Sequence, residues 1–116
     1  MILVELTNIE LKDKELLIKD PIEVKVTGHS LQKSKGNDIV CAGISTLAQN
    51  LVKSIDVILQ IHQDIEIKEG YLFTHIKTNF LNSSLVNDLK VLLQSFLIGC
   101  VEIHKVYPDE IKINLS

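Results

Sequence analysis

The stretch DIVCAGISTLAQNLVKSIDVILQI, residues 38–61, carries the pattern that decides the fold. Its apolar residues recur at spacings of three and four, at Val40, Ile44, Leu47, Leu51, Ile55 and Ile58. This is the period of an α-helix with one apolar face, so we expect a long amphipathic helix over residues 39–61. Asn37 or Asp38 is expected to cap it, because a short side-chain oxygen can accept a hydrogen bond from an amide of the first turn.

On both sides of this helix the apolar pattern changes to the alternation that is typical of strands. The predicted elements outside the helix are strands over residues 2–11 (with a slip near Asn8) and 22–26 (after a break at Pro21), a hairpin over 64–78 that turns at Glu69-Gly70, a second helix from Ser83-Ser84 to before Pro108, and a last strand through Ile111, Ile113 and Leu115.

The order of elements is therefore β-β-α-β-β-α-β. It predicts an α/β (α+β) two-layer sandwich, in which a mixed, mostly antiparallel sheet of five to six strands carries two long helices on one face. No repeat, low-complexity tract or Pro/Gly-rich linker divides the chain, so we expect one domain over residues 1–116.

The second predicted helix is apolar around most of its circumference. The apolar positions are Leu85, Val86, Leu89, Val91, Leu92, Leu93, Phe96, Leu97, Ile98, Cys100, Val101 and Ile103. One face on the sheet cannot bury all of them, so a second side must also be covered. A second subunit would do this and predicts a homodimer; the alternative is that the first helix covers that side.

Composition excludes several classes of protein. Hydrophobic residues make up 46% of the 116, which is too many for a disordered chain. Two cysteines are too few for a disulfide framework or a Cys-rich zinc site, and no His spacing suggests another metal site. No phosphate-binding glycine loop appears, so we expect no cofactor. The net charge of −3 argues against direct nucleic-acid binding. Without a basic leader or a stretch of about twenty apolar residues, no membrane association and a cytoplasmic location are expected.

The segment from Gly28 to Ser45 concentrates the reactive side chains. His29 follows the second strand, and Cys41 is predicted in the first turn of the first helix, where unpaired amides favour a thiolate and could stabilise an oxyanion. His29 could then take the thiol proton, and Asp38 and Ser45, three residues before and four after Cys41, would lie near the thiol.

A simpler interpretation remains open at this point: Cys41 as a small buried hydrophobe and the Gly-His pair as part of a turn. Cys100, in the middle of the second helix, is predicted to pack in the core. His62, His75 and His104 are expected to be surface or partly buried residues.

The same segment closely resembles the ribosomal-processing cysteine proteases of bacteria. Their hallmark is a Gly-His pair, a short loop and then Gly-x-Asp-Ile-Val-Cys-Ala, with a Ser four residues after the Cys. The chain has Gly28-His29 and then GNDIVCA over residues 36–42, followed by Ser45. Ser30 stands where family members commonly have Ala. The likeness covers essentially the whole chain.

The resemblance implies an endopeptidase that removes the N-terminal extension of a large-subunit ribosomal protein, number twenty-seven, during ribosome assembly. It also implies a homodimer and a mobile loop between His29 and Cys41. By matching position, Cys41 is the nucleophile and His29 the general base; Asp38, Ser45, Gly28 and Gly36 are supporting residues. Two alternatives are a non-catalytic ribosome-associated or assembly protein with the same fold, and a redox switch that pairs Cys41 with Cys100.

Overall fold

The computed structural model describes the backbone of residues 1–28 and 35–116 and the side chains of 1–28 and 39–116. Its elements, in chain order, are β1 (Ile2–Lys12), β2 (Glu15–Thr27), α1 (Lys35–Ser54), a π-helical turn (Ile55–Leu59), β3 (Asp64–Lys68), β4 (Tyr71–Ile76), α2 (Ser83–Val106) and β5 (Ile111–Leu115). The predicted order of strands and helices is confirmed, and the sheet has five strands.

The strands lie in the order β3-β4-β2-β1-β5. All neighbours are antiparallel except β1 and β5, which are parallel. The α+β class with a mixed, mostly antiparallel sheet is therefore confirmed. Because side chains alternate across a strand, one face of the sheet is apolar and forms the floor of the core. The buried residues on this face include Ile2, Val4, Leu6, Ile22, Val24, Val26, Leu72, Ile76 and Ile111.

The prediction that Pro21 breaks the chain before a short strand is wrong, since β2 runs through it from Glu15 to Thr27. Pairing with β1 shifts register between Thr7 and Ile9, at the slip that the sequence predicts near Asn8. Asn8 has a positive φ of 61°, and its side-chain Nδ2 donates a hydrogen bond of 2.6 Å to the Pro21 carbonyl. Pro21 thus occupies the irregular part of the ladder, where a missing N–H costs little.

The start of α1 also differs from the prediction. The helix begins at Lys35, so Asn37 and Asp38 lie inside it and do not cap it, and Gly36 belongs to the helix rather than to a turn. Polar residues can extend a helix without adding to its apolar face, so the apolar period alone could not show this extra turn. Cys41 consequently lies in the second turn of α1. The backbone N–H of Cys41 is therefore not one of the four unpaired N–H groups at the helix N-terminus, on which the expected stabilisation of a thiolate depended.

α1 gives way to a π-helical turn before the predicted end of the helix at residue 61. The helical path ends at Gln60, which has a left-handed φ of 55°. Beyond it, Gln63 donates a hydrogen bond of 3.0 Å to the Val52 carbonyl and accepts one of 2.9 Å from the hydroxyl of Thr74. Thr74 is fully buried in β4. These bonds satisfy a buried hydroxyl and tie the end of α1 to the sheet.

Both helices pack on the apolar face of the sheet and against each other. The buried row of α2 consists of Leu89, Leu93, Phe96, Leu97 and Cys100. The helices approach closely at Gly99, where an added Cβ would lie 2.7 Å from a terminal methyl of Leu47. α1 thus covers one side of α2, as the alternative to a second subunit anticipated. Val91, Ile98 and Val101 of α2 nevertheless remain exposed.

By length and composition alone, α2 meets the criterion for a membrane span, which the sequence did not lead us to expect. Its buried row, however, packs into the core described above.

Asp20 joins β2 to the segment after β4. Its carboxylate accepts hydrogen bonds from the backbone N–H and hydroxyl of Thr78 and, at 3.1 Å, from the N–H of Asn79. The bond from the Thr78 N–H is the main cause that lowers the pKa of Asp20 below its ordinary value. The ionised carboxylate therefore holds these two backbone amides in place.

A lowered pKa means that this carboxylate stabilises the folded state above its unfolded pKa, of about 4, and ceases to do so as pH falls through the folded value. We expect Asp20→Asn to unfold at lower urea concentration than the parent chain at pH 7. The urea concentration at which Asp20→Asn is half unfolded should also fall less than that of the parent chain when the pH is lowered from 5 to 2. Asp109→Asn, at an exposed carboxylate, is the control and should behave like the parent. Equal pH dependence of Asp20→Asn and the parent would contradict the assignment.

Candidate active site

Cys41 borders a cleft of about 180 Å³ between α1 and the ends of the central strands. The thiol-bearing residue is half-buried and packs against the core. Other residues that line the cleft are Ile2, Val26, Gly28, Ile44, Ser45, Ala48, Gln49, Ile67, Lys68, Gly70, Tyr71 and Leu72. The floor is apolar, and polar groups stand at the rim. Such a site can exclude water from a bound group while it leaves the sulfur accessible.

α1 contributes a polar row to this cleft. Ser45 follows Cys41 by one helical turn and Gln49 follows Ser45 by another, so the three residues share one face of the helix. The Gln49 side-chain amide donates a hydrogen bond of 2.9 Å to the Ser45 hydroxyl oxygen. With its oxygen accepting from Gln49, Ser45 can offer its own hydroxyl proton to a molecule in the cleft. Ser45 thus lines the same cleft as Cys41.

Gly28 determines where the chain leaves the sheet beside Cys41. It has a φ of 93°, and a Cβ placed on it would lie 2.3 Å from the Met1 carbonyl oxygen. Its N–H donates a hydrogen bond of 3.1 Å to the carbonyl of Gly70, in the turn between β3 and β4. Both the conformation and the lack of space exclude a larger side chain here. The Gly-His pair thus starts from a constrained point at the border of the cleft.

Three other predicted site residues, His29, Asp38 and Gly36, lie wholly or partly outside the described residues. His29 lies outside the described residues, as does the part of the predicted loop over 29–34. Asp38 and Gly36 lie in α1 by their backbone, three and five residues before Cys41, and their side-chain surroundings are not described.

The second cysteine behaves as predicted. Cys100 is fully buried in α2, and burial raises the pKa of its thiol to about 12. It is therefore a packing residue that holds its proton at neutral pH. Neither cysteine is part of a disulfide, and this raised pKa argues against a redox pair with Cys41.

The described histidines lie away from this cleft. His75 Nδ1 lies 2.8 Å from Glu23 Oε2 across β2 and β4, and exposed His62 lies 3.3 Å from Asp64. Among the described side chains, those of residues 1–28 and 39–116, no three His, Cys, Asp or Glu gather as a metal site would require. These findings agree with the surface and partly buried roles expected for His62 and His75.

The hairpin side of the cleft was missed by the sequence reasoning. Lys68, Gly70 and Tyr71 line the cleft, and the Lys68 ammonium lies 4.9 Å from the centre of the Tyr71 ring. Gln49 was missed too, because a Gln in a helix carries no signal of its own. The turn between β3 and β4 comes next to α1 only through the register in which β4 pairs with β2.

A model of the family described as cysteine protease Prp matches residues 6–112. The ribosomal processing cysteine protease Prp of Staphylococcus aureus (strain Mu50 / ATCC 700699) is 27% identical over 92 residues, which are 79% of this chain and 84% of that protein.

Solved structures show the same fold. An essential ribosomal processing protease Prp from S. aureus, in complex with a substrate peptide, superposes with a TM-score of 0.74 at 23% identity and full coverage of both chains. A Streptococcus mutans protein gives a TM-score of 0.69 at 23% identity, over 100% of this chain and 94% of that one. Because the family model covers nearly the whole sequence, the chain belongs to the cysteine protease Prp family and is a cysteine protease, an enzyme that hydrolyses peptide bonds.

Proposed function

We propose that the chain is an endopeptidase that removes the N-terminal extension of a large-subunit ribosomal protein, number twenty-seven, during ribosome assembly, and that Cys41 and His29 form its catalytic dyad. The observation that carries the dyad is that Cys41 and Gly28 line one cleft, since His29 is bonded covalently to Gly28. Among the described residues that line this cleft there is no histidine and no carboxylate. We therefore assign the role of general base to His29, which directly follows Gly28 in the sequence.

In this mechanism His29 removes the proton from the Cys41 sulfur, and the thiolate attacks the carbonyl carbon of the scissile peptide bond. The tetrahedral intermediate collapses to a thioester as His29 gives the proton to the leaving amine. Water, deprotonated by His29, then attacks the thioester and releases the new carboxylate and the Cys41 thiol.

The oxyanion of these intermediates needs hydrogen-bond donors. Since the Cys41 amide lies inside α1, we assign a donor role to the Ser45 hydroxyl, which Gln49 orients at 2.9 Å. Asp38, on α1 three residues before Cys41, is the proposed residue that orients His29. Gly28 and Gly36 support the site through the backbone: Gly28 sets the path of the chain into His29, and Gly36 places no side chain in the first turn of α1.

Two solved structures of S. aureus Prp support a peptide substrate and a covalent step. One is solved with a substrate peptide and the other with a covalently linked product peptide. Family membership favours this enzyme over a non-catalytic ribosome-associated protein. A ribosomal substrate also places the enzyme, in this proposal, in the cytoplasm.

The proposal includes a homodimer in which a second copy covers the exposed side of α2. Val91, Ile98 and Val101 are 61%, 65% and 40% exposed, and the spacings of seven and three place them on one side of the helix. Exposed Leu11 borders the same surface, in an apolar depression beside Ile98 and Val101. A self-complementary apolar surface of this kind is typical of two-fold dimers.

The dyad predicts the effect of single substitutions on cleavage. With the extended ribosomal protein as substrate, Cys41→Ala and His29→Ala should each lower kcat/KM by about a thousandfold or more, because each removes one half of the nucleophile pair. Cys100→Ala, the matched control at the other cysteine, should retain nearly the parent value. Cleavage products are quantified by mass spectrometry. Undiminished cleavage by Cys41→Ala would refute the assignment of the nucleophile.

The two thiols should also differ in alkylation. Native protein at pH 7 should be modified by iodoacetamide at Cys41, whereas Cys100 should react only after unfolding, since burial raises its pKa to about 12. Peptide mapping by mass spectrometry, with and without urea, measures both rates. Equal labelling of the two cysteines in native protein would show that Cys100 is not held in the core.

The dimer predicts that charge on the exposed side of α2 will separate the subunits. Ile98→Glu should sediment as a monomer at concentrations where the parent chain is a dimer, because a carboxylate would be buried in the interface. Val57→Glu, at a position 58% exposed outside this surface, is the control and should remain dimeric. A parent chain that sediments as a monomer would contradict the proposal.

A further inference from the structure

A second depression continues from the Cys41 cleft along α1. We call it the α1–β3 groove; it is an open channel of about 620 Å³ lined by Thr46, Gln49, Asn50, Val52, Lys53, Asp56, Ile65 and Ile67. Gln49 and Ile67 line both the cleft and the groove. Because the two depressions share these walls, a chain with one bond at Cys41 can continue into the groove.

The strand that forms one wall of this groove has a free edge. β3 is the outer strand of the sheet and pairs only with β4 among the described strands. The Gly28 N–H donates a hydrogen bond to the Gly70 carbonyl. In the β4 segment, the backbone N–H and C=O groups of even-numbered residues therefore point toward β2, and those of odd-numbered residues point toward β3. The partners of these odd-numbered residues are Lys68, Glu66 and Asp64.

The backbone N–H and C=O groups of Ile65 and Ile67 therefore point away from the sheet, where they can pair with another strand. Their side chains lie on the face that carries the helices and are 45% and 52% exposed. An exposed edge with two large apolar side chains is normally covered, because it favours pairing with other chains. Here the two residues whose backbone groups point away from the sheet, Ile65 and Ile67, also line the groove.

The dimensions of the groove agree with those of a short extended peptide. From Cys41 to Lys53, α1 advances twelve residues, or about 18 Å. An extended chain rises about 3.4 Å per residue, so this length holds about five residues. The α1 wall presents Thr46, Gln49 and Asn50, which are uncharged and can hydrogen-bond a peptide backbone. The charged pair Lys53 and Asp56 stands only at the far end.

We propose that the α1–β3 groove binds about five extended residues of the substrate on one side of the scissile bond. The segment joins β3 as an added strand, with uncharged apolar side chains at alternate positions packed on Ile65 and Ile67. This inference rests on the proposed function, because it takes the bond at Cys41 as the scissile one. It makes Ile67, at the junction of cleft and groove, a determinant of specificity.

The first test uses kcat/KM for a fluorogenic peptide that spans the cleavage site of the ribosomal-protein extension. Ile67→Lys should lower kcat/KM by about tenfold or more, since a charge replaces apolar contact with the substrate. Val106→Lys, at a comparably exposed apolar side chain on α2 outside the groove, should stay within about twofold of the parent. An unchanged kcat/KM for Ile67→Lys would overturn the groove assignment.

The second test leaves the protein unaltered and so does not depend on the folding of a variant. Substrate peptides N-methylated at one residue at a time lose a single backbone donor. Strand addition predicts that kcat/KM falls at every second position over about five residues on one side of the cleaved bond. A uniform loss, or no loss, would overturn the proposal.

The outcomes separate this inference from the function on which it rests. If the parent chain cleaves the peptide, Cys41→Ala does not, and the N-methyl series shows no alternation, only the groove proposal is wrong. If the parent chain does not cleave the peptide, both are wrong. If Ile67→Lys dissociates an oligomer and leaves cleavage unchanged, the groove is an interface between copies of the chain and the proposal is again refuted.

Discussion

One apolar sheet face shared by two helices is the constraint from which the rest of this structure follows. Five strands spaced about 4.8 Å apart form a floor about 19 Å wide, whereas the axes of two packed helices lie only about 8–10 Å apart. The close approach at Gly99 and Leu47 draws α1 and α2 together. Because the helices are held close to each other, the outer strand β3 stays partly uncovered, and Ile65 and Ile67 remain exposed.

The packing of α1 on the sheet also forms the candidate site. α1 crosses the ends of the strands with Cys41, Ser45 and Gln49 on one side, and the β3–β4 turn meets this side through the bond from Gly28 to Gly70. Cys41 thus lines a cleft whose walls are α1 and the β3–β4 hairpin. Burial alone raises the pKa of the Cys100 thiol to about 12, which marks Cys100 as a packing residue.

Much of the fold could be predicted because most elements have strong apolar periods. Both helices, the hairpin turning at Glu69-Gly70 and the slip at Asn8 agree with the structure. The errors occur where the regular apolar pattern stops: α1 extends back through polar residues to Lys35, and β2 begins at Glu15 and continues through Pro21 although its first half does not alternate. Apolar periodicity reports which residues are buried, and it does not detect a turn of helix or a strand segment held by hydrogen bonds such as that from Asn8 to Pro21.

The sequence by itself determined the order of elements and the family, since these depend on local patterns and on the motif from Gly28 to Ser45. Only the tertiary structure decided that Cys41 lies in the second turn of α1, which residues of the β3–β4 hairpin line its cleft, and that a groove along the outer strand β3 adjoins this cleft. The physical reason is sheet register. The position of Lys68 and Tyr71 beside Cys41 depends on how β4 pairs with β2, a contact between distant parts of the chain that no local pattern specifies.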